Sequence, residues 1–126
     1  MPCSIQILSS SSEPIYAQIA SQISAAIVAG RLDASLPLPS IRGLAADLGV
    51  SVITTKRAYE ELEKSGLIET RPGLGCFVAA QSPEMLKERR ARMVEAGLGP
   101  LIDEAKRLGV AREDFDAMVE LLWKEE

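Results

Sequence analysis

Ser51-Val52-Ile53-Thr54-Thr55-Lys56-Arg57-Ala58-Tyr59-Glu60-Glu61-Leu62 decides how this chain is read. Ser51 is placed to cap a helix by accepting a hydrogen bond from a first-turn amide. Thr55, Ala58, Tyr59 and Leu62 recur at helical spacing and predict one buried stripe. Val52, Ile53, Thr54, Lys56 and Arg57 fall on the flanks and the far side. An exposed first turn of small apolar groups, a hydroxyl and two cations suits a DNA major groove, where methyls meet thymine methyls, hydroxyls meet base edges and cations meet phosphates. Taken alone, the stretch reads more readily as an amphipathic core helix with a solvated face. Its neighbours reverse that preference.

On the N-terminal side, Leu32 to Pro39 reads as a loop in which Pro37 and Pro39 forbid regular helix. Ser40 then caps a helix from Ile41 to Leu48, with Arg42 outward in the first turn and Leu44, Ala45 and Leu48 inward. Gly49 ends that helix, Val50 packs, and Ser51 caps the next. Helix, three-residue turn, helix is the helix-turn-helix arrangement. On the C-terminal side, Gly66 stops the helix. Leu67–Thr70 and Cys76–Ala79 read as short strands around a turn, Arg71-Pro72-Gly73-Leu74-Gly75, in which glycine supplies the positive φ. A hairpin in this place is a wing. Arg71 and the amides around Gly73 are expected to meet phosphate or a minor groove.

Further upstream, a helix is expected to begin around Pro14, with Ser12 or Glu13 as its cap. Ile15, Ile19, Ile23 and Ile27, flanked by Tyr16 and Ala20, give it an apolar face, and Gly30 stops it. Residues 1–11 form a lead-in, either flexible or a weak edge strand from Ser4 to Leu8, with no role assigned.

Over residues 12–80 the sequence resembles the winged-helix domain of GntR-family bacterial transcription regulators. The resemblance is carried by Pro14-Ile15-Tyr16-Ala17-Gln18-Ile19, Ala29-Gly30-Arg31-Leu32, Leu38-Pro39-Ser40-Ile41-Arg42, Leu44 through Ser51, Ala58 through Glu63, Gly66-Leu67-Ile68 and Gly73 through Val78. It implies that Arg42 holds DNA from the start of the second helix, that Thr54 and Lys56 are recognition-helix positions, and that Gly73 is the wing-tip glycine. Two departures stand out. Val52 and Ile53 follow the capping serine where many relatives have an arginine, so the fork that reads guanine is missing there. Gly43 stands where relatives often have a glutamate that completes a capping box with Ser40, so the second helix is expected to start less firmly.

Residues 81–126 are expected to form a helical tail, and the short all-helical tail resembles the YtrA-type branch of the family. That resemblance implies no large effector domain, a tail that pairs two protomers, and a role at ABC-transporter operons. The residues agree with pairing. Ser82 and Pro83 mark a helix start. Val94, Leu98, Leu101, Ala105 and Leu108 keep phase through Gly97-Leu98-Gly99-Pro100, which predicts one helix kinked near Pro100 rather than two. Gly109 ends it. A last helix, about Ala111 to Lys124, presents Phe115, Met118, Val119 and Leu122, with Trp123 alongside. Two such helices do not bury both faces on each other, so Leu98, Leu101, Ile102, Ala105, Leu108, Phe115, Met118, Val119, Leu122 and Trp123 are the expected dimer contacts. The competing reading packs this stripe on the chain's own first helix. The Lys87–Arg92 run, interleaved with Glu84, Glu88 and Glu95, reads as a solvated face with intrahelical pairs.

Composition narrows the rivals. The 126 residues carry a net charge of −4. Residues 12–80 hold 6 Lys/Arg against 7 Asp/Glu, and residues 81–126 hold 8 against 11. DNA binding must therefore come from a local cluster of cations, not a global field. The chain has no histidine, the commonest general base. Ser40 lacks the glycines of a nucleophile elbow. Gly73-Leu74-Gly75 is too short for a phosphate loop. Cys3 and Cys76 have no ligand partners at metal spacing and form no disulfide framework. No catalytic residue, metal or cofactor is expected.

No apolar run spans a membrane and no signal peptide is legible, which predicts a cytoplasmic location. Trp123-Lys124-Glu125-Glu126 reads as a polar natural end, against a fragment of a larger regulator. The expected fold is mainly α with a small β-wing: a winged helix-turn-helix domain plus a C-terminal helical dimerisation tail. The expected function is a sequence-specific, homodimeric, repressor-like regulator on double-stranded palindromic operator DNA, with its effector unknown. The alternative is a winged helix that contacts protein only, which predicts no common face for Arg42, Lys56, Arg57 and Arg71. DNA binding requires Asp47, Glu60 and Glu61 to point away from that face.

Overall fold

Ile19, Ile23 and Ile27 recur every four residues, so a helix carries them on one face, and all three are buried. They lie in helix α1 (Ile15–Val28) of the computed structural model, which describes residues 4–125. Cys3 and Glu126, on which expectations rested, lie outside that range. The chain continues through α2 (Ile41–Leu48), α3 (Val52–Lys64), β1 (Ile68–Arg71), β2 (Gly75–Val78), α4 (Pro83–Arg107) and α5 (Arg112–Trp123). The fold is mainly helical with a two-stranded antiparallel wing. The chain divides into two units, one ending at Leu86 and one beginning at Lys87.

In the first unit α1 and α2 pack on α3. The core joins Ile19, Ile23 and Ile27 to Leu44, Ala58, Tyr59, Leu62, Ile68 and Val78. Thr55 is fully buried with them; its hydroxyl donates to the Ser51 carbonyl at 3.2 Å, which satisfies it inside the helix. The Tyr59 hydroxyl donates to the Pro39 carbonyl at 2.7 Å, tying α3 to the loop that launches α2. Burial, with a smaller contribution from Cys76, pushes the Tyr59 phenol above its ordinary pKa, so it remains a donor.

Several local expectations need correction. Pro14 itself is the N-cap of α1, at φ −56° and ψ 150°, with no side-chain cap from Ser12 or Glu13. Ile15, expected on the apolar face, is exposed there. The lead-in is neither strand nor free. Gln6 donates its amide to Gln22 Oε1 at 2.9 Å and accepts Gln22 Nε2 at 2.8 Å. Leu8 does the same with Gln18, at 2.8 and 3.0 Å. Two glutamines one turn apart thus substitute for a neighbouring strand, and Ile5 and Ile7 pack against the core.

The wing strands sit one residue off the expected bounds, because the Leu67 amide is taken by the Leu62 carbonyl at 3.0 Å, closing α3. The register runs from Ile68↔Val78 to Arg71↔Gly75. The proline loop also does more than approach. Val78 donates to the Leu36 carbonyl and Leu38 to the Cys76 carbonyl, both at 2.9 Å, with Pro37 bridging Phe77. Proline is tolerated on such an edge because its missing amide costs no ladder bond there. Cys76 is half-buried on β2.

In the tail α4 is one unbroken 25-residue helix with Pro100 inside it, as its sustained apolar phase predicts. The Ser82 hydroxyl accepts the Met85 amide at 3.1 Å, capping it, and Gly109, at φ +75°, ends the turn that follows. Arg92–Glu88, Arg107–Glu104, Arg112–Asp116 and Lys124–Glu120 are exposed pairs within single helices. No residue of α4 or α5 is buried.

Candidate nucleic-acid interface

The site begins with two serine caps. Ser40 Oγ accepts the Gly43 amide at 2.9 Å, so the serine half of the cap is in place although no glutamate stands at position 43 to complete the box. A Cβ at Gly43 would stand 2.9 Å from that same oxygen, and glycine leaves the cap uncrowded. Arg42 is exposed in this first turn. Gly49, at φ +68°, turns the chain, and Val50 donates to the Ala45 carbonyl at 3.0 Å. Ser51 then caps α3: its Oγ accepts the Thr54 amide at 3.0 Å and donates to Thr54 Oγ1 at 2.8 Å.

Around these caps the expected DNA-contacting residues separate into two kinds. Val52, Ile53 and Lys56 are exposed on α3, with Ile53 81% exposed and Val52 47%. Lys56 and Arg42 form no ion pair among the described residues. Arg57 and Arg71 are occupied. The Arg57 guanidinium lies 3.9 Å over the Tyr16 ring of α1. Arg71 lies 4.1 Å over Phe77, pairs with Glu69 Oε1 at 2.7 Å, and reaches Ser35 Oγ at 3.4 Å. Such stacking orients a guanidinium and leaves its other edge available. Neither ring contact was read from the sequence: Arg57 and Tyr16 lie 41 residues apart, and Arg71 meets Phe77 across the wing hairpin through a register that spacing alone did not give.

Gly73, at φ +75°, holds the wing turn, in which Leu74 donates to the Arg71 carbonyl at 2.9 Å; Leu74 projects at the tip, 73% exposed. Asp47, Glu60 and Glu61 are all exposed. Glu60 follows Lys56 by one helical turn, so it lies on the same strip and not opposite it, which corrects the expectation that it points away from the cations. Its offset is along the helix, away from the capped end.

The second candidate surface lies within the tail. Leu101, Ala105, Leu108, Phe115, Met118 and Leu122 line an open groove of about 400 Å³, with Val119 beside them. Leu98 is exposed, Ile102 half-buried, and Trp123 85% exposed. No cluster of three or more metal-ligating side chains occurs among the described residues. No helix among them is long and apolar enough to cross a membrane.

Residues 15–78 match the family model described as bacterial regulatory proteins, gntR family. The chain is 37% identical over 109 residues to the HTH-type transcriptional repressor YtrA of Bacillus subtilis, covering 86% of this chain and 84% of that one. Among solved structures, a GntR family transcriptional regulator from Listeria monocytogenes superposes with a TM-score of 0.77 at 33% identity, over 86% of this chain and 95% of that one. The DNA-binding domain of AraR, solved in complex with operator ORX1, superposes at 0.54 with 30% identity, over 61% of this chain and 96% of that one.

Proposed function

This chain belongs to the gntR family of bacterial regulatory proteins, a helix-turn-helix DNA-binding transcription regulator and not an enzyme, and from that premise we propose that it is a homodimeric, cytoplasmic repressor of a palindromic operator. In this reading residues 12–80 hold the DNA and residues 81–126 pair the protomers. The observation that carries it is the capped first turn of α3, which exposes Val52 and Ile53, with Lys56 exposed on the same helix and Arg42 exposed at the start of α2, neither in an ion pair among the described residues. Ser40, Arg42 and Lys56 position the backbone, while Val52, Ile53 and Thr54 face bases. Arg57 and Arg71, pre-oriented on their rings, add phosphate contacts alongside Gly73.

The unpartnered tail supports the second protomer, since two helices with no buried residue leave the groove and Trp123 in water until another copy covers them. Two recognition helices about one DNA turn apart then read inverted half-sites. The similarity to the repressor YtrA supports repression, and a transporter operon is the target class that the family resemblance suggests.

Fluorescence anisotropy against DNA upstream of the chain's own gene, with a scrambled duplex as control and at two salt concentrations, tests this reading. Selective binding with a steep salt slope is expected. Arg42→Ala and Lys56→Ala should each weaken binding and lower the salt slope by about 1 while leaving the protein folded. Folded variants with wild-type affinity would remove those two assignments.

A further inference from the structure

Val52 and Ile53 are two β-branched apolar residues left in water at the one turn of the molecule best placed to enter a groove. The core below them is complete without them: Thr55, Ala58, Tyr59 and Leu62 fill the buried side of α3. Beside them stands a hydroxyl with a fixed role. Thr54 Oγ1 already accepts from Ser51 Oγ, and Ser51 Oγ already accepts the Thr54 amide. The proton of Thr54 is therefore left for an acceptor outside the protein.

An apolar surface next to a hydrogen-bond donor complements one base edge in the major groove. Thymine presents a 5-methyl group beside the O4 acceptor. Guanine presents two acceptors and no methyl, and cytosine presents a donor and no methyl. No cation stands at positions 52 or 53 to fork onto guanine.

Resting on the DNA-binding reading above, we propose that Val52 and Ile53 recognise the 5-methyl group of thymine in each operator half-site, with the Thr54 hydroxyl donating to O4. The first turn of α3 is thus a thymine-specific head, and the cations around it fix register without choosing sequence.

The test starts with selection of binding sites from a random duplex pool by the full chain. Each thymine of the selected site is then replaced singly by deoxyuridine, which removes the methyl group and keeps O4 and the pairing. One position per half-site should lose about fourfold in affinity, the equivalent of one buried methyl-sized group. In Val52→Ala and Ile53→Ala that loss should shrink, because the partner of the methyl is gone. Ile53→Ser, on a largely solvated position, serves if either alanine variant folds poorly. A selected site in which every thymine tolerates deoxyuridine would overturn the proposal while leaving the regulator reading intact. A pool with no enriched sequence would instead overturn both this proposal and the sequence-specific operator reading it rests on.

Discussion

Ile23 in the first helix has none of its surface exposed, whereas Leu122 on the last helix keeps 63% of its own. Both sit on amphipathic faces at helical spacing. They differ in what the chain supplies opposite them. In the winged helix, three helices and the wing close around one cluster, and the loop and lead-in add their own hydrogen bonds to seal it. In the tail, α4 and α5 meet along one groove and leave the rest uncovered. An identical sequence pattern therefore carries two meanings. Where the chain satisfies its own stripe, the stripe specifies a fold; where it does not, the stripe stays exposed, which is the basis for proposing a second copy there.

The largest test of this contrast removes core from the first unit. Ile23→Ala should cost about 2–5 kcal/mol of unfolding free energy by denaturant titration, because a fully buried side chain leaves a cavity. A loss under about 1 kcal/mol would show that the winged helix is not the self-sufficient half. The matching change in the tail should behave differently. Phe115→Asp or Leu122→Asp should leave the winged helix folded by circular dichroism and convert dimers to monomers in sedimentation. Operator affinity should fall about 10²-fold or more as bivalent attachment is lost. An unchanged sedimentation coefficient would place the protomer contact elsewhere.

A smaller effect sharpens how the first unit seals itself. Tyr59→Phe strands the Pro39 carbonyl and should cost about 1–3 kcal/mol. Since burial raises the Tyr59 pKa, the folded state holds this proton longer than the unfolded chain. Its contribution is then flat below about pH 10, the ordinary tyrosine value, and falls as pH rises beyond it. The phenylalanine variant should lack that alkaline component in a stability–pH profile. An identical alkaline decline in both proteins would separate the effect from Tyr59.

Periodicity and capping residues made most of this fold legible. Ser40, Ser51 and Ser82 all cap the helices expected of them, and Thr55, Ala58, Tyr59 and Leu62 form the buried stripe of α3. Capping is a local geometry, so a short window of sequence carries it. What stayed illegible was non-local. The Gln18 and Gln22 amides clasping Leu8 and Gln6, the ring of Tyr16 under Arg57, and the pairing of Leu36 and Leu38 with the wing all join segments whose approach only the folded chain defines. The candidate interface divides the same way. Its exposed first turn was readable from spacing, but the prior engagement of Arg57 and Arg71 was not.

In the proposed reading, the half left open pairs two copies so that the closed half can read two half-sites. Sedimentation velocity of the full chain, alone and with a labelled duplex carrying a selected site, measures both parts at once. A dimer is expected in the absence of DNA, and two chains on each duplex in its presence. A monomer that remains one chain per duplex at saturating protein would contradict that reading.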